Sequence, residues 1–196
     1  MNVPNRITFC RIILSVILLF IMLFPLESIG ISFPELRVNS ELIIDSKDII
    51  CGIIFLIASL TDFLDGHLAR KYNLVTDLGK VLDAIADKIL VNGVLIILAV
   101  NGYISPIVPV VIVCRDIAVD SIKMIAGQKN GAVAASKAGK TKTAFMLTGV
   151  VLVFFNDLPF SLFGVYPGKI IIMIAVVLSI ISGIQYFEKN KKYIIN

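Results

Sequence analysis

The chain has 196 residues, 58% of them hydrophobic, with a mean hydropathy of +0.95. Soluble domains average about 45–50% apolar residues, so the composition excludes an ordinary soluble globule and reads as one integral membrane domain, residues 1–196. The net charge of +4 follows the distribution of Lys and Arg between membrane faces and calls for no nucleic-acid partner.

A bilayer core of ~30 Å takes about 20 apolar residues in a helix. Six segments qualify, approximately 7–25, 48–70, 79–100, 104–127, 140–160 and 166–187. The first is expected to stay in the protein, because its apolar run from Ile12 to Phe24 is long and Pro25-Leu26-Glu27 offers no small-residue cleavage site. Pro4 before it and Pro34 after it mark short interfacial segments lying on the membrane. Leu42-Ile43-Ile44 is too short to count as a strand, and Asn101-Gly102 and Pro167-Gly168 are turn signals at outer span ends. The expected fold is therefore an all-α integral membrane protein with six transmembrane helices, a short interfacial N-terminal segment and no internal repeat.

Basic residues in short loops orient such a chain. Arg6, Arg11, Arg70, Lys71, Lys80, Lys88, Arg115, Lys123, Lys129, Lys137, Lys140, Lys142, Lys189, Lys191 and Lys192 collect on one side, whereas Arg37, Lys47 and Lys169 fall on the other. Both termini are thus expected in the cytoplasm of a multi-pass cell-membrane protein. Cys10, Cys51 and Cys114 have no CxxC spacing and are read as small buried hydrophobes rather than disulfide or zinc ligands. The lone His67 is read as packing or interface rather than as a ligand.

The second and third segments carry the chemistry. Asp62, Asp65 and Ala69 stand at i, i+3 and i+7 and share a helix face with Gly66; Gly79, Asp83 and Asp87 stand at i, i+4 and i+8 on the next helix. Two consecutive helices so present two carboxylates each toward a common seam at the cytoplasmic face. Four crowded carboxylates cannot all ionise without compensation, and divalent cations compensate them. An oxygen-only donor set suits hard ions such as Mg²⁺, Mn²⁺ or Ca²⁺, and four carboxylates suffice for a two-metal site of the kind that serves phosphoryl chemistry. Gly66, Ala69 and Gly79 leave room over the ions for a phosphorylated substrate, and Arg70 pairs bidentately with phosphate. The competing reading, solvated charges at helix ends, fits Asp77 at a helix N-terminus better than the four phase-locked aspartates.

Asp62-x-x-Asp65-Gly66-x-x-Ala69-Arg70, eight residues, then Gly79-x-x-x-Asp83-x-x-x-Asp87 resembles the complete signature of the CDP-alcohol phosphatidyltransferases. The resemblance implies six membrane helices, a homodimer, a site open to the cytoplasmic leaflet, and displacement of CMP from a CDP-linked lipid by an alcohol. It implies two divalent ions, Mg²⁺ or Mn²⁺, on Asp62, Asp65, Asp83 and Asp87, with Asp87 also the catalytic base. Asn5-x-x-Thr8 resembles the family segment that contacts the CDP moiety, together with Gly66, Ala69, Arg70, Thr76 and Gly79; ordinary helix capping is an equally available reading of Asn5 and Thr8.

A second cluster bears on the acceptor. Arg115-Asp116 lies within an apolar helix, and Lys137, Lys140 and Lys142 lie at the cytoplasmic start of the fifth span. Beside a carboxylate–metal site, such a cluster suits an acceptor that itself carries phosphate, although a positive-inside loop has the same composition. MNVPNRITFCR, GKVLDAIADK and AASKAGKTKT together resemble the bacterial phosphatidylglycerophosphate synthases, implying CDP-diacylglycerol as donor and sn-glycerol 3-phosphate as acceptor, bound by Arg115, Lys137, Lys140 and Lys142. Ala84 stands where those enzymes commonly have Pro, and Asp116 where they commonly have Glu. Inositol phosphate is the alternative acceptor. A cation transporter is a remote alternative, since transporter sites lie near the midplane between repeats and these carboxylates cluster at one face.

Overall fold

The structure, a computed structural model, describes residues 3–30, 32–37, 43–72, 76–128 and 137–195. Among these, six α-helices follow in order: α1 (Val3–Leu23), α2 (Ser46–Lys71), α3 (Asp77–Val100), α4 (Ile107–Gln128), α5 (Lys137–Phe154) and α6 (Pro167–Ile195). Each expected span has its helix. Boundaries moved where local chemistry overruled hydropathy. No separate interfacial segment precedes α1 among the described residues: the helix already runs from Val3, and Pro4 sits in the first turn, where its missing N–H costs no hydrogen bond. Helix α5 stops at Phe154, short of the expected end at 160, because Asn156 and Asp157 adopt positive φ (51° and 58°) and turn the chain into a 3-10 segment, Phe160–Phe163.

The all-helical expectation holds, with one short strand pair added in the outer loop. Ile43–Asp45 is a strand, β2, paired antiparallel with β1 (Glu35–Arg37) in the register Glu35 to Asp45 and Leu36 to Ile44. The run is short, but the pairing satisfies backbone groups at the mouth of α2. Nearby, Tyr103 donates its hydroxyl to Asp48 Oδ2 at 2.7 Å. Burial, with the bond to Asp48 second, pushes the phenol up from its ordinary value, so it remains a donor.

Helix α1 packs on α2 and α3, α5 packs on α6, and α4 lies against α6 with a further contact to α3; α2 and α5 join the two groups. Leu18, Phe55, Leu95, Leu98, Ile112, Met146, Phe154 and Ile172 form the fully buried centre, with the Phe55 and Phe154 rings 5.9 Å apart. A Cβ on Gly149 would stand 2.6 Å from Ile172 Cγ1 and 3.1 Å from the Gly168 carbonyl oxygen, so glycine there permits the close α5–α6 approach.

Polarity is inverted relative to a soluble bundle. Along α1, Asn5, Thr8, Arg11 and Ser15 are buried, while Ile13, Val16, Ile17 and Phe20 are exposed. Such a helix is stable when its outer face meets lipid. Among the described residues, Asn5–Leu23 and Pro167–Lys191 are long and apolar enough to cross a membrane. Cys51 is buried as expected, whereas Cys10 and Cys114 are exposed on the apolar exterior, since each falls on the outward side of its helix.

Asp157 fixes the start of α6. It is 4% exposed, and its Oδ1 accepts the backbone N–H of Gly168 at 2.5 Å, satisfying one of the unpaired donors of the first helical turn. Asp157→Ala is expected to cost about 1–3 kcal/mol, read as a lower unfolding midpoint in detergent. Asp157→Asn, which accepts the same bond and tolerates positive φ, should retain most of that stability.

Candidate active site

The polar stripe of α1 is the element around which the site is built. At its outermost position Asn5 donates from Nδ2 to Thr76 Oγ1 at 3.1 Å. Thr76 is the N-cap of α3, and its hydroxyl accepts the backbone N–H of Gly79 at 3.0 Å. A Cβ on Gly79 would fall 2.7 Å from Asn5 Oδ1 and 3.0 Å from Thr76 Oγ1. Glycine at this position is what lets α1 and the first turn of α3 meet. Asn5 thus serves as a bridge between helices, from within the first turn of α1, rather than as a cap of its own helix. Thr8 is buried on the same stripe.

One turn further in, Arg11 joins three helices. Its Nη1 pairs with Asp62 Oδ1 on α2, and its Nη2 with Asp83 Oδ1 on α3 at 2.5 Å; Arg11 is 1% exposed, while the two carboxylates are 44% and 55% exposed. The carboxylates therefore lean from two helices onto one guanidinium and present their outer sides to a cleft. Asp62, Asp83, Ala84 and Asp87 line that cleft, of about 340 Å³, together with Asp116, Asp120, Lys88, Lys123 and Thr143. Gly66 is half-buried on α2. The side chains of Asp65, Ala69, Arg70, Lys137 and Lys140 lie outside the described residues.

The far wall is built from α4 and α5, with α6 behind them. Lys142 reaches Asp116 Oδ1 at 3.0 Å, and Arg115 Nη1 reaches the same oxygen at 3.0 Å. Arg115 also donates from Nη2 to Ser182 Oγ at 2.7 Å and from Nε to the Ser179 carbonyl at 3.2 Å. It is thereby laid across α6, where Gly183 leaves room for it: a Cβ there would stand 3.2 Å from Arg115 Cγ. Asp120 pairs with Lys88 on α3 and with Lys123 at 3.4 Å, linking the two walls.

Among the described residues, no three His, Cys, Asp or Glu side chains stand close enough together to hold a metal ion. The donor chemistry nevertheless fits a hard divalent cation. Asp62 and Asp83 already converge on one positive group, Asp87 opens to the same cleft, and every donor is a carboxylate oxygen.

The sequence model of the CDP-alcohol phosphatidyltransferases matches residues 1–181. The chain belongs to the CDP-alcohol phosphatidyltransferase family. It is 38% identical over 189 residues to the CDP-diacylglycerol–glycerol-3-phosphate 3-phosphatidyltransferase of Bacillus subtilis (strain 168), covering 96% of this chain and 95% of that protein. The enzyme of the same name from Rickettsia bellii (strain RML369-C) is 34% identical over 193 residues, covering 98% of this chain and 97% of its own. Membership accounts for the inverted polarity, because this is a membrane-associated transferase family of phospholipid biosynthesis.

For a phosphatidyltransferase, the sequence named Asp62, Asp83 and Asp87 of the cleft but passed over Lys88 and Asp120, which line it, and Arg11, which ties two of its carboxylates together. Arg11 had a usable signal. Asn5, Thr8, Arg11 and Ser15 follow one another at three- and four-residue steps through an otherwise apolar helix, which puts a charge on the stripe that faces the bundle. Lys88 and Asp120 had none, since their pairing is made only by the packing of α3 on α4.

Thr76 tests this corner of the site. Thr76→Val removes both the cap and the acceptor for Asn5, and is expected to lower stability by about 1–2 kcal/mol. Thr76→Ser should restore it. Equal melting of the valine variant and the parent, followed in detergent, would show that the bridge contributes nothing.

Proposed function

We infer that this phosphatidyltransferase moves the phosphatidyl group of CDP-diacylglycerol to sn-glycerol 3-phosphate, giving phosphatidylglycerophosphate and CMP. The observation that carries the reading is the meeting of Asp62 and Asp83 from two helices beside Asp87 in one polar cleft. The acceptor is supported by the end-to-end likeness to enzymes named for glycerol 3-phosphate. The chain works as a six-span cell-membrane protein with cytoplasmic termini, in a homodimer, and its cleft opens to the cytoplasmic leaflet; the concentration of Lys and Arg on that side supports the orientation.

Asp62, Asp65, Asp83 and Asp87 hold two divalent ions, Mg²⁺ or Mn²⁺. Bound there, such ions neutralise the diphosphate and polarise its oxygens. The remaining work belongs to the chain. Gly66, Ala69 and Gly79 keep the seam open for the cytidine diphosphate, contacted by Arg70, Thr76, Asn5 and Thr8. Acyl chains enter laterally from the surrounding lipid. Arg115, Lys137, Lys140 and Lys142 bind the acceptor phosphate. Asp87 takes the proton from the free primary hydroxyl of glycerol 3-phosphate. The resulting oxygen attacks the lipid-side phosphorus, and the bond to CMP breaks as the new P–O bond forms. Positioning and charge stabilisation supply most of the rate.

The test is CMP release by the purified protein with CDP-diacylglycerol and Mg²⁺ or Mn²⁺, offering glycerol 3-phosphate, inositol phosphate, serine and phosphatidylglycerol in parallel. Release only with glycerol 3-phosphate is the expected result. Release with another alcohol would overturn the acceptor, and no release with any would overturn the reaction. Asp87→Asn should abolish turnover while leaving the melting behaviour close to that of the parent; wild-type-like rates in that variant would remove Asp87 as the base.

A further inference from the structure

Helix α1 contains no acidic residue, yet the position in the bundle where two carboxylates are tied together is occupied by its side chain. Arg11 is almost wholly buried, and its two terminal nitrogens take Oδ1 of Asp62 and Oδ1 of Asp83. Given the reading of these aspartates as metal ligands, on which this inference rests, the guanidinium binds oxygens from the same two carboxylates that the divalent ions need.

We propose that Arg11 is the positioning residue of the metal site: it stands in for the ions' charge when the site is empty, holding Asp62 and Asp83 together, and competes with the ions as the site fills. Two carboxylates brought together from separate helices repel, and the repulsion grows as the dielectric falls. A buried cation between them removes it, and a planar fork can address both at once. A divalent ion neutralises the same pair more strongly, and lies unfavourably close to the guanidinium. The two cations are therefore linked through a shared pair of ligands. Removing Arg11 harms the metal-free protein, where no other cation among the described residues pairs with these two carboxylates, more than the metal-loaded protein. By linkage, the variant must bind metal more tightly than the parent. A side chain that only packed α1 against its neighbours would give the opposite or no change.

The experiment uses the full-length protein in detergent, with Mn²⁺ titrated and free Mn²⁺ read by electron paramagnetic resonance, alongside thermal unfolding with and without Mn²⁺. Arg11→Met keeps an apolar stem and removes the charge. It is expected to unfold at a lower temperature without metal, to bind Mn²⁺ about ten-fold more tightly, and to gain more in melting temperature from Mn²⁺ than the parent gains. Arg11→Lys, which keeps the charge but reaches one carboxylate at a time, should fall between them. Mn²⁺ binding by Arg11→Met equal to or weaker than the parent's overturns the proposal. If that variant does not stay folded without metal, recovery of a monodisperse species on adding Mn²⁺ is the supporting result; no recovery, with Arg11→Lys binding Mn²⁺ as the parent does, overturns it. Asp62→Asn and Asp83→Asn separate the two levels of inference. Loss of Mn²⁺ binding in these, with Arg11→Met unchanged from the parent, removes only the role of Arg11. Parent-like Mn²⁺ binding in both removes the aspartate site and the role of Arg11 with it.

Discussion

A guanidinium inside an apolar bundle must be neutralised on the spot, and much of the arrangement of this protein answers to that one requirement. An isolated buried charge costs several kcal/mol, so Arg11 obliges α2 and α3 to bring carboxylates to it. The obligation runs both ways, because Asp62 and Asp83 cannot approach each other without a cation between them. Three helices are thereby locked in rotation about their own axes as well as in position. The apolar exterior of α1 is the complement of this constraint: with its polar stripe committed inward, the rest of the helix is left for lipid.

The cleft lies where two differently charged walls face each other. On one side are the carboxylates of α2 and α3. On the other, Arg115, Asp116 and Lys142 form a chain of paired charges that runs from α5 through α4 to α6. Arg115 does structural service as it stands, bonded to a carbonyl and a hydroxyl of α6. Its remaining pairing, with Asp116, is shared with Lys142 on a single oxygen, so the two cations form one unit. Of that unit, Asp116 is the member that lines the cleft. The opposite end of the bundle is organised differently: the β1–β2 pairing and the Tyr103–Asp48 bond close it. Asp62 lies about 24 Å along α2 from its start at Ser46, at 1.5 Å per residue, so the two ends are physically separate.

Much of this was legible in the sequence because it is written in helical periodicity. The six helices follow from runs of apolar residues, and the aspartates declare themselves by spacing on consecutive helices, where sequence neighbours are also spatial neighbours. Asn5, Thr76 and Gly79 were each singled out in the sequence, but their mutual contact was not legible, since Asn5 and Thr76 are separated by 71 positions. The same holds for Asp120 and Lys88, which meet only through the packing of α3 on α4. What failed was local. The β2 strand was dismissed for its length, although pairing with Glu35–Arg37 rather than length makes it a strand. The end of α5 was placed too late because hydropathy continues past Phe154 while the backbone at Asn156 and Asp157 turns. The N-terminal segment was split from α1 on account of Pro4, which a first helical turn accommodates.

The bond from Arg11 to Asp83 spans 72 positions of the chain, and that separation has a consequence for how the protein is made. The first helix is synthesised with its charge facing inward before either of its counter-ions exists. Until α2 and then α3 have followed it, that stripe has no protein partner and must be satisfied by water, lipid headgroups or the insertion machinery. The first three helices therefore form the smallest unit in which the electrostatics close, and earlier intermediates are ones that the cell has to shelter.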